Sequence, residues 1–329
     1  MAGFSTTQNQ HLIRAELWSN QLKETFKDEL YTTKYLRMLE GFPDGDLFTI
    51  PSIGDMLASD YLENQAVDYT AVDTGEFQFA ITEYLQAGTY ITNKMKQDSY
   101  VMSQLVSSFV PKAHLALMKR FETDFMRVGP LGQTAADFNS INGVAHRWTG
   151  TGTDSAGSSN DTISIDDFAR AKLALKKANA PLTNLVAIVD PSIEYTFNTL
   201  ANLTNMINNP RWEGIVSTGV ATGMQFKVNI MGFDVYTSNY VHLNTGAETI
   251  SGHAAPTSAA NNMFFSAVGG DPMPIIGAVR QPPKVDSEYN KDFQREEYVT
   301  TMRYGMKLYR PENLVVILTD PAITAPAYV

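Results

Sequence analysis

Apolar residues recur every four positions between residues 94 and 128, which is the spacing of one face of a helix. The side chains of this stripe are Val101, Leu105, Phe109, Leu117, Phe121 and Phe125. The pattern predicts a helix of about 45 Å, at 1.5 Å per residue over ~30 residues, which is longer than most globular helices. We expect Asn93 to cap this helix, Pro111 to kink it, and Gly129 with Pro130 to end it.

Two extended runs precede this helix. Residues 47–54 read LFTIPSIG, and Pro51 makes this run typical of an edge strand. Residues 77–93 read FQFAITEYLQAGTYITN, with Phe77, Phe79 and Ile81 on one side of an alternating strand. Together they predict a long two-stranded arm. Because an isolated pair of strands is marginally stable in water, this arm must lie against something.

The rest of the chain alternates between helix and strand patterns. Residues 1–40 predict an N-terminal arm with one or two helices, and the glycine-rich residues 149–161 predict a mobile surface loop. Ser164 and Asp167 form a capping-box pattern at the start of a second helix. Further strands are predicted at 185–191, 231–241, 261–270 and 274–281, with a helix at 193–203 and a loop region at 205–228. This order predicts an α+β or mixed α/β domain.

The C-terminal end predicts a β-hairpin. Residues 296–309 alternate apolar and polar side chains, and residues 314–320 read LVVILTD. Between them, Pro311 occupies the second position of a type I turn. We therefore expect the last strand to return along the strand before it.

The net charge of the chain is confined to one segment. The 329 residues contain 35 acids and 25 bases, but residues 38–93 contain ten acids and no Lys or Arg. Without these ten acids the chain has as many acids as bases. An acidic β arm that leads into a long helix is typical of a part that binds a neighbouring molecule.

Composition excludes several classes of protein. A pI near 5 disfavours a domain that grips nucleic-acid phosphates. The absence of cysteine excludes disulfides, thiolate nucleophiles and cysteine zinc sites. No signal peptide or run of 18 apolar residues is found, so we expect a soluble protein that is made in a cytoplasm-like compartment and is not in a membrane.

Motifs that carry chemistry are lacking. The five histidines are scattered without metal-ligand spacing, and Asp44-Gly45-Asp46 lacks the other ligands of a calcium loop. The stretch around Ser217 resembles the nucleophile elbow of an α/β hydrolase, but it has one residue too many before the serine. We therefore expect no catalytic residue, no cofactor and no metal.

The order of these parts resembles the major capsid proteins of tailed bacteriophages, which have the Hong Kong 97-type fold. The stretch from LFTIPSIGDMLASDYLENQAVDY to FQFAITEYLQAGTYITNKMKQDSYVMSQLV is similar to the extended loop and spine helix of podovirus-type capsid proteins. MRYGMKLYRPENLVVIL resembles the closing strands of their peripheral domain. The resemblance covers residues 15–320 and rests on order rather than on a single signature.

The resemblance implies a division of the chain into domains. The N-terminal arm would be residues 1–46, the extended loop 47–93, and the spine helix 94–128. The peripheral domain would combine 129–178 with 281–329, and the axial domain would be 179–280. Some members of this family cross-link the extended loop through a lysine. That loop has no lysine here, which excludes a lysine donated from it.

The resemblance also implies a function and partners. The chain would assemble through hexamers and pentamers into an icosahedral head around double-stranded DNA. A scaffolding protein and a portal would be its partners, with a decoration protein as an optional third. The chain would lie in the host cytoplasm during assembly and in the virion afterwards. An encapsulin-like cellular shell shares the fold and stays an alternative. A soluble α/β hydrolase that uses Ser217 is a more distant one.

The charge pattern adds a docking hypothesis for this assembly. We expect the acidic arm to meet basic residues of the spine helix or the C-terminal hairpin on the adjacent subunit, while apolar burial supplies most of the binding. The acids are Asp60, Glu63, Asp68, Asp73 and Glu76. The apolar residues are Phe77, Phe79 and Ile81. The bases are Lys112, Lys119, Arg120, Arg303, Lys307 and Arg310.

Overall fold

The structure is a computed structural model, in which part of the chain is described. The described residues are 32–39, 47–54, 58, 60, 63, 74–98, 102–153, 159–199, 226–246, 248–250, 253–255 and 257–321. Three predicted features lie outside them: the helices before residue 31, most of the middle of the arm, and the Ser217 motif.

The described residues contain both helices and strands. The helices are α1 (Thr32–Tyr35), α2 (Asn93–Asp98), α3 (Met102–Gly132), α4 (Ala136–Asn139), α5 (Ile165–Lys177) and α6 (Pro191–Thr199), with a 3₁₀ turn at Pro311–Asn313. The strands are β1 (Arg37–Met38), β2 (Leu47–Ile53), β3 (Thr74–Ala80), β4 (Glu83–Thr92), β5 (Ser140–Ile141), β6 (Val144–Ala145), β7 (Arg147–Thr149), β8 (Gly152–Thr153), β9 (Ser159–Thr162), β10 (Leu185–Val189), β11 (Phe226–Ile230), β12 (Phe233–Thr237), β13 (Thr249–Ile250), β14 (His253–Ala254), β15 (Ala260–Ser266), β16 (Ile275–Asn290), β17 (Arg295–Leu308) and β18 (Leu314–Thr319). The predicted α+β class is confirmed.

A six-stranded mixed sheet forms the centre of the subunit, in the order β11-β12-β10-β15-β18-β7. Strand β10 pairs parallel with β12 and antiparallel with β15, and β15 pairs antiparallel with β18. Every residue of β10, β15 and β18 is buried. Their sequences are therefore rich in consecutive apolar residues, because both faces of the sheet are covered.

Two helices cover the two faces of this sheet. On one face, Phe121 and Phe125 of α3 pack into a cluster with Val186 and Val316 of the sheet. On the other face, Phe168 and Leu175 of α5 share a second cluster with alternate sheet residues. The sheet residues of this second cluster include Leu185, Ala187, Val189, Phe264, Val315 and Ile317. Burial of each such apolar side chain stabilises the fold by about 1.5–3 kcal/mol.

Helix α5 begins with the predicted capping box. The Ser164 side chain accepts a hydrogen bond from the Asp167 backbone N–H, and the Asp167 carboxylate accepts from the Ser164 N–H at 2.8 Å. The same carboxylate accepts from Trp148 Nε1 at 3.0 Å and from the Thr151 N–H at 3.0 Å. Asp167 thus joins the start of α5 to strand β7, which is more than the capping role that its position predicted.

A second sheet of four strands, in the order β1-β16-β17-β4, packs against the same long helix. Strands β16 and β17 form a long antiparallel hairpin of 16 and 14 residues. Its base is buried, with Met302 and Tyr304 in the cluster around α3, whereas residues 284–289 are exposed. Residues 37–38 of the predicted N-terminal arm pair with β16 as β1, so they belong to the subunit body.

The predicted C-terminal hairpin is wrong. Strand β17 pairs with β16 and β4, while β18 pairs with β15 and β7 in the other sheet. The 3₁₀ turn at Pro311–Asn313 carries the chain from one sheet to the other. The physical reason is burial. The side chains of β18 are apolar on both faces of the strand, so both faces must be covered. Beside β17, one face of β18 would be exposed to solvent.

The long helix also differs from its prediction. Residues 99–101 lie outside the described residues, and α3 runs through Pro111 and Pro130 to Gly132. The side chain of Thr92, not Asn93, accepts a hydrogen bond from the Met95 N–H at the start of α2. The helix continues past Gly129 to Gly132. The glycine instead permits close packing, since a Cβ there would lie 3.1–3.2 Å from three core side chains.

One further prediction needs correction. The ends of the predicted loop at 149–161 pair with each other as the short hairpin β8–β9. The predicted domain boundaries at 179 and 281 do not coincide with breaks in the sheets. Strands β7 and β18 lie in the same sheet as β10 and β15, and β16 runs across residue 281. The assignment of peripheral and axial domains stays a prediction.

Candidate assembly interface

The predicted arm exists as a two-stranded antiparallel ribbon. Strands β2 and β3 pair along their whole length, from Leu47 opposite Ala80 to Ile53 opposite Thr74. The second predicted run is not one strand, because it leaves the ribbon at residues 81–82 and continues as β4 in the four-stranded sheet. Residues 81–82 are thus the junction between arm and body.

The root of the arm is buried in its own subunit. Phe79 is fully buried and Ile81 is 4% exposed, and both pack against Ile276 and Ala278 of β16. These two side chains already belong to a core of their own subunit, and their predicted contact with an adjacent subunit stays a prediction. Alternating apolar residues do not reveal which chain covers them.

Phe77 and Lys307 continue this contact along the ribbon. The ring of Phe77 meets the ring of Tyr309 edge-on, with centroids 5.1 Å apart. Lys307 Nζ lies 5.0 Å above the Phe77 ring and donates a hydrogen bond of 2.8 Å to the Gln78 carbonyl oxygen. Lys307, which we expected to bind the arm of an adjacent subunit, thus binds the arm of its own subunit.

A glycine in β17 permits this close approach. A Cβ on Gly305 would lie 2.5 Å from the Ala80 carbonyl oxygen and 2.9 Å from the Ile81 Cα. Both atoms belong to the backbone, so any other residue at this position would displace the arm. The sequence does contain a signal for this contact, because a glycine inside an alternating strand often marks a close backbone approach.

Arg310 also has its partner within the subunit. Asp271 accepts a hydrogen bond from Arg310 at 2.7 Å and one from Arg37 at 2.5 Å. These contacts hold the pKa of Asp271 below its usual value, with the Arg310 hydrogen bond as the largest cause. Both guanidinium groups lie about 5 Å from the Tyr309 ring, at 5.0 Å for Arg310 and 5.2 Å for Arg37. Sequence reasoning missed Asp271, Arg37 and Tyr309, since they are far apart along the chain.

The other predicted bases lie on the helix and the hairpin. Lys112 is exposed on α3, while Lys119 and Arg303 are half-buried. Arg120 is exposed and pairs with Asp124, one turn further along α3, at 3.2 Å. Asp124 is buried, and it also accepts a hydrogen bond of 2.6 Å from the Tyr304 hydroxyl. Arg120 therefore has a structural role within the subunit.

The predicted acids that the structure describes are exposed. They are Asp60, Glu63 and Glu76, of which Glu76 lies on β3 opposite Pro51. Asp68 and Asp73 lie outside the described residues. The acidic side of the docking hypothesis thus stays a prediction, with Glu76 as its best-placed described member.

In the described part of the chain, no group of three His, Asp or Glu residues is placed to hold a metal ion. None of its helices is long and apolar enough to cross a membrane. A cavity of about 550 Å³ lies beside Arg147, but this buried guanidinium already binds Glu248 at 2.7 Å and Asn261 at 3.0 Å. Its contacts are those of a structural ion pair.

Comparison with known proteins gives the family. A family model described as phage capsid protein matches residues 66–317, which is more than half of the chain. This chain therefore belongs to the phage capsid protein family. No curated protein matches the sequence.

Solved structures give the fold. The capsid of cyanophage P-SCSP1u has a TM-score of 0.69 at 16% identity, covering 94% of each chain. A structure from Mycobacterium phage Che8 has a TM-score of 0.67 at 16% identity, covering 93% of this chain and 97% of that one. The capsid of cyanophage Pam1 has a TM-score of 0.66 at 16% identity, covering 98% of this chain and all of that one.

Together these findings confirm the class of protein that the order of parts predicted. The fold is the Hong Kong 97-type fold of tailed-phage capsid proteins. The chain is a structural component of the virion, a major capsid protein whose copies form the icosahedral shell. The encapsulin and hydrolase alternatives are not favoured.

Proposed function

We propose that this chain assembles through hexamers and pentamers into the head of a podovirus-like phage, and that the head encloses double-stranded DNA. Its family and fold support assembly from repeated copies. The exposed surface of the arm gives a further reason why an adjacent subunit is needed.

The exposed outer part of the arm carries this proposal. In the described part of the arm, the root packs on its own subunit through Phe77, Phe79 and Ile81. Thr74, Gly75 and Glu76 are exposed on β3, and Pro51 and Ser52 on β2, which lie opposite Glu76 and Gly75, are exposed as well. Because a two-stranded ribbon is marginally stable by itself in water, contact with an adjacent subunit would stabilise it.

Charge would select the position of this contact. The exposed acids Asp60, Glu63 and Glu76, with Asp68 and Asp73, would approach basic residues of an adjacent copy. The bases suited to this role are Lys112, Lys119 and Arg303. Exposed ion pairs contribute only about 0.2–1 kcal/mol each, so they would set the register and exclude wrong contacts more than supply affinity.

Further partners follow from the same proposal. Assembly would take place in the host cytoplasm with a separate scaffolding protein, and a portal would occupy one vertex. Decoration proteins would bind outside the finished shell. Acidic residues on the inner face would keep the packaged DNA from adhering to the wall by like-charge repulsion.

Electron microscopy of the purified protein tests the proposal. We expect closed particles, or rings of five and six subunits. A protein that stays monomeric at every concentration and in the presence of crowding agents would contradict it.

Charge reversal tests the role of the arm. Asp68, Asp73 and Glu76 are changed together to Lys, and we expect particle yield to fall at least tenfold. The matched control changes three exposed acids outside the arm, Asp137, Asp166 and Asp292, to Lys, which alters net charge equally. Equal yields from the two triple variants would show that the arm acids do not select the contact.

A further inference from the structure

The short hairpin β5–β6 closes with a two-residue loop, Asn142-Gly143. Ile141 pairs with Val144 across this loop, and both loop residues have positive φ angles, 49° for Asn142 and 74° for Gly143. Positive φ at both positions defines a type I′ turn, for which Asn-Gly is a preferred sequence. Both residues are exposed, and this is the sole Asn-Gly pair in the 329 residues of the chain.

The backbone nitrogen of Gly143 is accessible to solvent. A Cβ atom on this glycine would meet no other atom within 4 Å, so its surroundings are open. Among the described residues, its N–H donates no hydrogen bond. Solvent base can therefore remove the proton of this N–H, and no side chain on the glycine blocks the approach of the nitrogen to a neighbouring group.

The side-chain amide of Asn142 is that neighbouring group, and it joins the hairpin to helix α5. Its Nδ2 donates a hydrogen bond of 2.9 Å to the carbonyl oxygen of Lys177. Lys177 is the last residue of α5, where carbonyl groups have no donor within the helix. The amide thus satisfies one of these carbonyl groups.

We propose that Asn142 is a self-modifying site, at which the side-chain amide becomes a carboxylate without an enzyme. The deprotonated Gly143 nitrogen forms a bond to Asn142 Cγ, the Cγ–Nδ2 bond breaks, and ammonia leaves after taking a proton from solvent. Water then opens the resulting five-membered succinimide at either carbonyl, which gives aspartate or isoaspartate. Water is the one co-reactant, and the attack is favoured because it is intramolecular.

A second asparagine provides a comparison within the same chain. Asn179 is also exposed and also has a positive φ angle, 58°, but Ala180 follows it. The methyl group of an alanine crowds the attacking nitrogen, so ring closure at Asn179 should be slower. The two sites share exposure and backbone conformation, and they differ in the residue that follows.

The modification would weaken the contact between the hairpin and α5. A carboxylate at position 142 has no N–H to donate to the Lys177 carbonyl oxygen. Its negative charge would also lie at the C-terminal end of α5, where the helix dipole disfavours it. Isoaspartate adds a methylene group to the main chain, which distorts a two-residue turn. The fraction of modified subunits would therefore grow with the age of the protein, whether or not the chain has assembled.

Mass spectrometry of aged protein tests the site. The purified full-length chain is incubated in water enriched in oxygen-18, at neutral and at mildly alkaline pH, and is then digested in ordinary acidic water. We expect the Asn142 peptide to lose ammonia and gain one oxygen-18 atom at least tenfold faster than the Asn179 peptide. The rate should rise with pH, because the attacking nitrogen must first lose its proton. Circular dichroism shows that the protein stays folded during incubation.

Two variants separate the chemistry from its consequence. Asn142→Gln keeps an amide but requires a larger ring, so we expect at least a tenfold slower gain of oxygen-18 at this position. Asn142→Asp represents one product, and it should melt at a lower temperature than Asn179→Asp. Asn179 lies just beyond the same end of α5, so both variants add a charge there, but only the first removes the hydrogen bond to Lys177.

The other outcomes contradict defined parts of the inference. Equal labelling of Asn142 and Asn179 would overturn the self-modifying site, and so would labelling that occurs only in protein that has unfolded. Equal melting temperatures of Asn142→Asp and Asn179→Asp would overturn the weakened contact with α5. None of these results depends on particle formation, so they are independent of the proposed function.

Discussion

A Cβ atom on Gly305 would lie 2.5 Å from the carbonyl oxygen of Ala80, at the point where the arm joins the subunit body. The two backbones therefore pack closer than any side chain permits. We predict that Gly305→Ala lowers the free energy of unfolding by about 1–3 kcal/mol, as overpacking does in cores. It should also make the arm more sensitive to limited proteolysis. Urea denaturation and protease digestion measure these two effects.

Gly88→Ala is the matched control for this change. It lies on the neighbouring strand β4, and its Cβ would meet nothing closer than 3.6 Å. We expect its unfolding free energy to stay within about 0.5–1 kcal/mol of the native chain. If Gly88→Ala lowered the free energy of unfolding as much as Gly305→Ala, the contact between Gly305 and the arm would not explain the loss.

Tyr304→Phe tests the buried hydrogen bond to Asp124. The Tyr304 hydroxyl donates to this carboxylate at 2.6 Å, and both residues are buried. Burial and the Asp124 carboxylate raise the pKa of Tyr304 well above its usual value, so it stays a donor at neutral pH. Its loss leaves a buried acceptor less satisfied, and we expect a cost of about 1–3 kcal/mol. Thermal unfolding measures it, with the exposed Tyr84→Phe expected to change little.

Asp167→Asn tests the cap of α5. The Asp167 carboxylate accepts hydrogen bonds from Trp148, Thr151 and Ser164. The NH₂ group of an asparagine would face these donors with another donor. We expect a loss of about 1–3 kcal/mol in unfolding free energy. Asp166→Asn removes the same charge from the same helical turn but is exposed, so its effect should stay near about 0.3–1 kcal/mol. Similar losses in the two variants would argue that the helix dipole alone explains the effect.

Acid should destabilise the subunit through His146, which is buried, and His242, which is half-buried. Burial lowers the pKa of His146, and burial with nearby Arg127 and Arg147 lowers that of His242. The unfolded chain then binds protons below about pH 6.5 that the folded chain does not, so stability is complete above this pH and falls as pH decreases through it. We predict that His146→Gln shows a smaller drop in melting temperature between pH 7.5 and 5.5. An unchanged drop would exclude His146 as a contributor.

Local sequence patterns predicted several elements correctly. The capping box at Ser164 and Asp167 depends on residues three apart, and the apolar stripe of α3 repeats every turn. The two arm strands also followed from alternation and flanking turns. Such signals are read within one element, so no knowledge of distant partners is needed.

Predictions that depended on distant partners were less successful. Phe79 and Ile81 alternate correctly, yet Ile276 and Ala278 of their own subunit cover them. Likewise, Lys307 and Arg310 look like free bases in the sequence, but the Gln78 carbonyl and Asp271 bind them. The continuous apolar run of β18 did signal burial on both faces, which a terminal hairpin could not provide.

The sequence by itself determined the acidic, base-free segment at 38–93, the order of arm, helix and strands, and thereby the capsid class. Charge and periodicity are properties of the chain, and they persist whatever the chain packs against. Only the tertiary structure decided that β17 and β18 separate into two sheets and that the arm root belongs to its own core. Strand pairing joins residues far apart in the sequence, so local patterns could not predict either arrangement.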